Sequence, residues 1–298
     1  MKKTLLILSL ASLIFSETEA KEIQGKKIYA YGALYPTYIN YSGSKYKDDG
    51  YSTTGYISIG DGKENLFQFG ATYTHLNYKD GYSDLNQRDF TLTYSNVNGI
   101  LRNHTFTFGG HYISSDDELT DGGYTIFFDG TYSSYSKTYP YYFNWSAGVG
   151  TYYSHYDNTI NFHVVQITPH TTYRIFSDYR RGSLYADLIG YYIHLSDSEK
   201  VGVGIDNLYS IEGALRYYYG NYDLKVGAWS GQQVFAVKNG GFVVYNLVEK
   251  YKRGAYAELG YTFRNGLRIS LNLGVNRYKE SSDSVTQTTA TLSLGYRF

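Results

Sequence analysis

The 298-residue sequence predicts an all-β fold in which about fourteen antiparallel strands close into an up-and-down barrel. Three features predict it. Apolar and polar residues alternate along many short segments, which puts them on opposite faces of a strand. Short turns alternate with longer polar connections. The 38 tyrosines, 32 glycines and only three prolines suit a chain that is nearly all hydrogen-bonded ladder and meets a water–lipid boundary.

The first twenty residues have the pattern of a secretory signal peptide. Lys2 and Lys3 form a basic start, residues 4–15 form an apolar run, and Thr18 and Ala20 are the small residues that a signal peptidase inspects. We expect cleavage after Ala20 and a single domain over residues 21–298. No later stretch approaches the roughly 20 apolar residues of a membrane helix. A membrane span would therefore need a closed barrel.

In the first half of the mature chain, apolar and polar residues alternate in seven segments. Predicted strands cover Ile28–Tyr41, Tyr51–Gly60 and Leu66–Tyr78, followed by segments near 89–95, 106–112, 124–131 and 141–149. Asp61-Gly62 and Asn98-Gly99 are tight-turn signals between them. In the third segment Phe67, Phe69 and Ala71 face opposite Gln68, Gly70 and Thr72. That parity predicts an apolar outer face and a small, polar inner face.

The second half continues the pattern. Predicted strands cover Thr159–Phe176, Ser183–Leu195, Asn207–Tyr219, a segment near 222–228, Ala255–Phe263, a segment near 267–275, and Val285–Phe298. Asp157-Asn158, Gly220-Asn221 and Arg264-Asn265-Gly266 are the short links. The count is fourteen, with twelve or sixteen as alternatives. An even count returns the C-terminus to the side on which the chain started.

The last strand carries a recognisable pattern. Counting back in twos from Phe298 gives Tyr296, Leu294, Leu292 and Ala290, all on one face. Together with the export signal and the repeated alternation, this terminal aromatic strand resembles the closing strand of Gram-negative outer-membrane β-barrel proteins of the porin-like type. The resemblance implies that Phe298, Tyr296 and Leu294 are read by the barrel assembly machinery. It also implies that outer-membrane lipid surrounds the barrel.

The segment Ser230–Arg253 is ambiguous. Two apolar arms, 234–238 and 242–245, flank Asn239-Gly240-Gly241, a hairpin signal. Three readings remain open: an extension of two strands beyond the membrane, a hairpin folded into the lumen, or two extra membrane strands. The first is slightly favoured.

Strand parity predicts which charged residues face the lumen. They are Asp89, Asp129, Asp187, Glu212, Arg216, Asp223, Lys225, Glu258 and Arg268. Fourteen strands about 4.8 Å apart and tilted by roughly 40° give an open radius on the order of 8 Å unless a loop enters. We therefore expect a water-filled lumen whose charges either hold the wall together or line the path of a solute.

These features favour a porin-like channel for passive diffusion of small hydrophilic solutes. A barrel enzyme acting on lipid or peptide, and a barrel that binds at the surface or assists export, are the alternatives. No phosphate-binding loop, nucleophile elbow or metal-ligand spacing occurs, so no catalytic residue, metal or cofactor is expected. The formal net charge is zero, which gives no reason to expect nucleic acid as a partner.

Overall fold

A computed structural model describes residues 21–23, 26–79, 81–136, 143–280 and 283–298. The expected cleavage after Ala20, and Tyr141 of the seventh predicted segment, lie outside the described residues. Seventeen strands occur in the described part of the chain, and their bounds are β1 Lys21–Ile23, β2 Lys26–Ser42, β3 Lys47–Gly60, β4 Asn65–Tyr78, β5 Leu85–Val97, β6 His104–Ser115, β7 Tyr124–Tyr135, β8 Phe143–Tyr156, β9 Phe162–Asp178, β10 Gly182–Leu195, β11 Asn207–Tyr219, β12 Tyr222–Gln233, β13 Val237–Lys238, β14 Val243–Val244, β15 Lys250–Thr262, β16 Leu267–Glu280 and β17 Asp283–Arg297.

Fourteen of these strands, β2 to β12 and β15 to β17, form one closed antiparallel barrel. Each pairs with its neighbour along the chain, and β17 pairs with β2 to close the ring. Across this seam the hydroxyl oxygens of Thr37 and Thr291 lie 2.8 Å apart. The predicted count of fourteen is confirmed, and twelve and sixteen strands are wrong. The short strand β1 pairs with the start of β2.

The outer face of the barrel is apolar, as the alternation predicts. Exposed side chains include Leu34, Ile57, Phe69, Leu92, Ile126, Leu188, Ile211, Leu259, Leu271, Leu273, Leu292 and Leu294. A continuous belt of this kind would not be stable in water, and it matches the lipid-facing band of a transmembrane barrel. No helix in the described ranges has the length and hydropathy to cross a bilayer.

Connections at the end of the barrel that holds the C-terminus are short. Between β3 and β4, the Asp61 carboxylate accepts hydrogen bonds from the backbone amides of Lys63, Glu64 and Asn65 at 2.9–3.0 Å. Slight burial raises the pKa of Asp61, but these bonds and that from the Asn65 side chain outweigh it and hold the pKa well below its usual range. The β5–β6 link at this end and the β8–β9 link at the opposite end are longer than predicted, because β6 starts at His104 and β9 starts at Phe162.

The segment between β12 and β15 does not extend the wall. It leaves the ladder after Gln233, forms the small hairpin of β13 and β14, and returns to the ladder at Lys250. Its side chains, the inward side chains of the surrounding strands and the connection 196–206 form the buried core of the molecule. The core of this barrel therefore lies inside the lumen, in the half with the longer connections.

Candidate functional site in the barrel lumen

The chain turns into the lumen at a bulge at the end of β12. The β11–β12 ladder ends at Ser210↔Gly231, and the β12–β15 ladder shifts register between Ser230 and Gln233. Gly231 has a φ of 125°, and a β-carbon there would lie 2.5 Å from Cα of Ser210. Only glycine fits both conditions without strain. Phe235 also has a positive φ of 51°, so the backbone changes direction again inside the barrel.

Residues 234–249, which we call the inserted segment, contain the predicted hairpin. Val237 pairs with Val244 and Lys238 with Val243, and the turn between them starts at Asn239, with a φ of 64°, and Gly240, with a φ of 58°. The free edge of this hairpin is satisfied by a wall side chain. Val237 N donates to Gln166 Oε1 at 2.9 Å, and Gln166 Nε2 donates to the Val237 carbonyl at 2.6 Å. Gln166 on β9 thus supplies the donor and the acceptor that a neighbouring strand would otherwise provide.

The tip of the hairpin crosses the full width of the lumen. On one side Lys238 Nζ lies 3.0 Å from the Glu212 carboxylate on β11. On the other side the Phe242 ring packs against Gly70 on β4 and lies 5.6 Å from the Tyr56 ring on β3. Strands β4 and β11 are seven steps apart in either direction around the fourteen-strand ring, so they face each other. The segment therefore occludes the lumen.

Apolar burial explains why the segment lies inside. Val234, Phe235 and Ala236 have no exposed surface, and the Phe235 ring lies 5.5 Å from Tyr156 and 5.1 Å from Phe162. Burying each large apolar side chain contributes about 1.5–3 kcal/mol, which an outward extension would lose. The slight preference for an outward extension was therefore wrong. A loop does enter the lumen, so the open radius expected without one does not apply.

All nine charged residues predicted to face inward do so, and most are paired. Arg216 Nε lies 2.7 Å from Asp187, and Arg268 Nη2 lies 2.9 Å from Glu258 and also contacts Asp223. These pairs lie on neighbouring strands of one wall. They satisfy buried charges, as a wall-holding network does. Their role in lining a solute path stays a prediction.

Glu212 links this wall to the hairpin. Tyr256 donates to Glu212 Oε1 at 2.8 Å, and Tyr191 and Lys238 share Oε2 at 3.1 and 3.0 Å. Lys225 lies 5.5 Å from the centre of the Tyr256 ring, a cation–π distance. Lys238 was not among the predicted site residues. Its segment had no assigned face, so strand parity could not reveal it.

A second polar group lies on the wall formed by β5 and β6. His111 lies 2.8 Å from Thr91 Oγ1 and 3.3 Å from Asp89 Oδ1, and Gln87 donates to the same Asp89 oxygen at 2.7 Å. A hydroxyl, an imidazole and a carboxylate are the components of a hydrolytic triad. Thr91 is buried, and the lining of the adjacent cavity includes Asp89 and His111 but not Thr91. Asp129 forms a similar contact with His170, at 3.6 Å.

A cavity of about 160 Å³ lies in the lumen between the inserted segment and the opposite wall. Its wall side is mostly polar, with Thr37, Ser52, Thr72, Thr74, Gln87, Asp89, His111, Gln287, Thr289 and Thr291. Its inner side is formed by the segment itself, from Phe242 to Leu247. Asn246 holds this side by donating to Gln87 at 2.6 Å and to Thr120 at 3.0 Å. No cluster of His, Asp and Glu in the described part of the chain could hold a metal ion.

No family model matches the chain, and no curated protein matches it significantly. Solved structures do match. The CymD monoaromatic hydrocarbon channel aligns over 100% of this chain and 93% of its own, with 10% identity and a TM-score of 0.58. A bacterial polysaccharide outer-membrane secretin aligns over 90% and 98%, with 8% identity and a TM-score of 0.54. The Ralstonia pickettii toluene transporter TbuX aligns over 92% and 90%, with 11% identity and a TM-score of 0.51.

These likenesses cover 90% or more of each chain and concern the fold. With the apolar outer belt, they show the class of fold: a closed transmembrane β-barrel of the kind that bacterial outer-membrane channels have. The resemblance drawn from the terminal strand is confirmed at that level, and no narrower family is defined.

Proposed function

We propose that this protein is an outer-membrane channel for the passive diffusion of small hydrophilic solutes, and that the inserted segment 234–249 sets its conductance. The observation that supports this most is the cavity beside the segment, whose wall presents ten polar side chains among apolar ones. Its polar wall residues are Thr, Ser, Gln, Asp and His side chains on β2 to β6 and β17, while the segment forms the inner side. Hydroxyl and amide groups replace the hydration shell of a polar solute.

In this proposal the segment restricts a wide barrel to small molecules. A fourteen-strand barrel without a plug leaves a radius on the order of 8 Å. Here a hairpin anchored at β11, β9 and β5 reduces the free space to one side of the lumen. Because Gln233 and Tyr251 are register partners, the barrel wall is continuous beside the segment and does not depend on where the segment lies.

The test is conductance in planar bilayers. Replacing residues 234–248 with a short Gly-Ser linker should raise single-channel conductance several-fold, because Gln233 and Tyr251 already pair and a tight turn can join them. The matched control replaces residues 81–83, an exposed part of the connection between β4 and β5, in the same way. Absence of conductance in both the natural chain and the 234–248 replacement would contradict a channel function.

A second candidate solute class has its own support. Ile39, Leu76, Leu85 and Phe242 also line the cavity, and CymD, a structural neighbour, is a monoaromatic hydrocarbon channel. We infer that an apolar aromatic solute is the alternative cargo. Liposome uptake of a small sugar and of toluene, measured in parallel, separates the two. Uptake of toluene without the sugar would replace the hydrophilic assignment.

A further inference from the structure

Five cations cluster at the end of β15 and β16, next to the long connections. They are Lys250, Lys252, Arg253, Arg277 and Lys279. In the ladder Lys250 stands directly opposite Lys279, and Arg253 opposite Arg277. Like charges opposite each other destabilise a sheet. Lys252 sits at the register shift between them and experiences the charges of both Lys250 and Lys279.

The cluster faces outward. Arg253 has the parity of Ala255 and Ala257, and Arg277 that of Leu273 and Val275, all on the lipid-facing side. Most other strands carry aromatic residues near this end of the outer face, including Tyr38, Tyr51, Tyr73, Tyr112, Tyr124, Tyr153 and Tyr209. On β15 and β16 cations replace that aromatic belt, at the depth where lipid head groups begin.

None of the five cations has an ion-pair partner among the described residues. The nearest acids along the chain are engaged elsewhere: Glu249 with Lys47, and Asp283 with Lys45 at 2.8 Å. Glu280 accepts hydrogen bonds from Ser44 and from the Lys45 amide. The positive charge of this patch is therefore not neutralised within the described part of the protein.

A shallow depression, largely open on its outer side and about 610 Å³ in volume, lies immediately below the cations on the same outer surface. Its floor and rim are small or apolar: Tyr38, Ala255, Ala257, Leu273, Val275, Thr288 and Ala290. Ala255 is two residues from Arg253, and Val275 is two residues from Arg277. One ligand with phosphates above and a hydrocarbon chain below would fill both features.

We propose that this surface binds one molecule of a phosphorylated, acylated glycolipid of the outer leaflet, the chemistry of lipid A. Its phosphates lie on Arg253, Arg277 and the three lysines, where guanidinium groups bind phosphate with two parallel hydrogen bonds. One acyl chain lies in the depression along Ala255, Ala257 and Ala290. Binding offsets the repulsion between the opposed cations, so the lipid stabilises the pairing of β15 with β16. This site does not depend on channel activity.

The experiment compares the full chain with two charge variants in detergent, using fluorescent lipopolysaccharide as probe. The test variant carries Lys250→Gln, Arg253→Gln, Arg277→Gln and Lys279→Gln. The control carries Lys63→Gln, Arg180→Gln, Arg181→Gln and Arg264→Gln, four exposed cations at the opposite end. The test variant should bind at least about 10-fold more weakly than the natural chain, because each cation near a charged lipid surface contributes to affinity. The control should bind like the natural chain.

Two further arms identify the ligand. Lipid A stripped of its phosphates should bind about 10-fold more weakly, and inorganic phosphate at the same concentration should not compete. Ala257→Trp, which fills the depression, should weaken binding with all cations present, whereas Leu271→Trp, outside it, should not. Equal loss in both charge variants, full competition by inorganic phosphate, or preference for phosphatidylglycerol vesicles over lipopolysaccharide would overturn the proposal.

Discussion

Lys238 at the tip of the inserted hairpin and Glu212 on β11 form a buried ion pair of 3.0 Å at one wall of the lumen. The lysine also lies 5.0 Å from the Tyr191 ring and 4.9 Å from the Trp229 ring. A cation held by one carboxylate and two aromatic faces fixes the tip of the hairpin to the charged wall. At this wall a single side chain, that of Lys238, thus attaches the inserted segment to the barrel.

The first prediction concerns this attachment. Lys238→Met should raise the open probability in planar bilayers, because breaking a buried pair costs about 3–5 kcal/mol in the docked state. Lys200→Met removes an exposed lysine, whose pair with Asp197 lies in a long connection, and should leave gating unchanged. Identical recordings for the two variants would show that this pair does not hold the segment.

The second prediction concerns the cavity. Thr74→Trp should lower conductance, because Thr74 lines the 160 Å³ space and an indole would fill much of it. The adjacent residue Tyr73 faces outward, so Tyr73→Trp provides a control with the same new side chain on the lipid side. A conductance that does not change in Thr74→Trp would place the solute path elsewhere in the lumen.

The third prediction concerns the charged wall. Asp187→Asn leaves Arg216 buried without its carboxylate and should lower the free energy of unfolding by about 3–5 kcal/mol. Adding Arg216→Met should restore most of it, because an apolar pair of similar volume is often as stable as a buried ion pair. Urea unfolding in lipid vesicles measures both. If the double variant is as unstable as the single one, the pair has a further structural role.

The fourth prediction concerns the lipid-facing belt. Leu271 is exposed on β16 near the middle of the outer face, so Leu271→Arg should destabilise the barrel by about 2–4 kcal/mol. Leu271→Met keeps an apolar side chain of similar size and should fold normally. The heat-modifiable shift on electrophoresis reports folding. Normal folding of the arginine variant would mean that this face does not contact lipid.

The fifth prediction concerns assembly. Phe298 and Tyr296 lie on the outer face with ring centres 5.0 Å apart, at the end of the closing strand. Phe298→Ser should reduce the amount of protein inserted in the outer membrane several-fold, since the resemblance makes this residue part of the assembly signal. Arg297→Ser, on the other face, serves as control. Equal membrane levels for both variants would argue against the signal.

The barrel could be predicted from local patterns in the chain. Alternation with a period of two assigns each residue of a strand to a face, so the apolar belt, the inward charges and the strand count could be derived without coordinates. The turn at Asn239-Gly240 was equally predictable, because a local backbone conformation with positive φ favours these residue types.

The position of the inserted hairpin depended on the tertiary structure. Its arms are apolar on both faces, so periodicity gave them no direction, and the slight preference for an outward extension failed. Their place is decided by partners distant in sequence: Gln166, Glu212, Phe127 and Gly70, on four different strands. The cations at the ends of β15 and β16 likewise stand opposite each other because of the strand register. Hydrogen bonding between the strands decides that register, and composition does not reveal it.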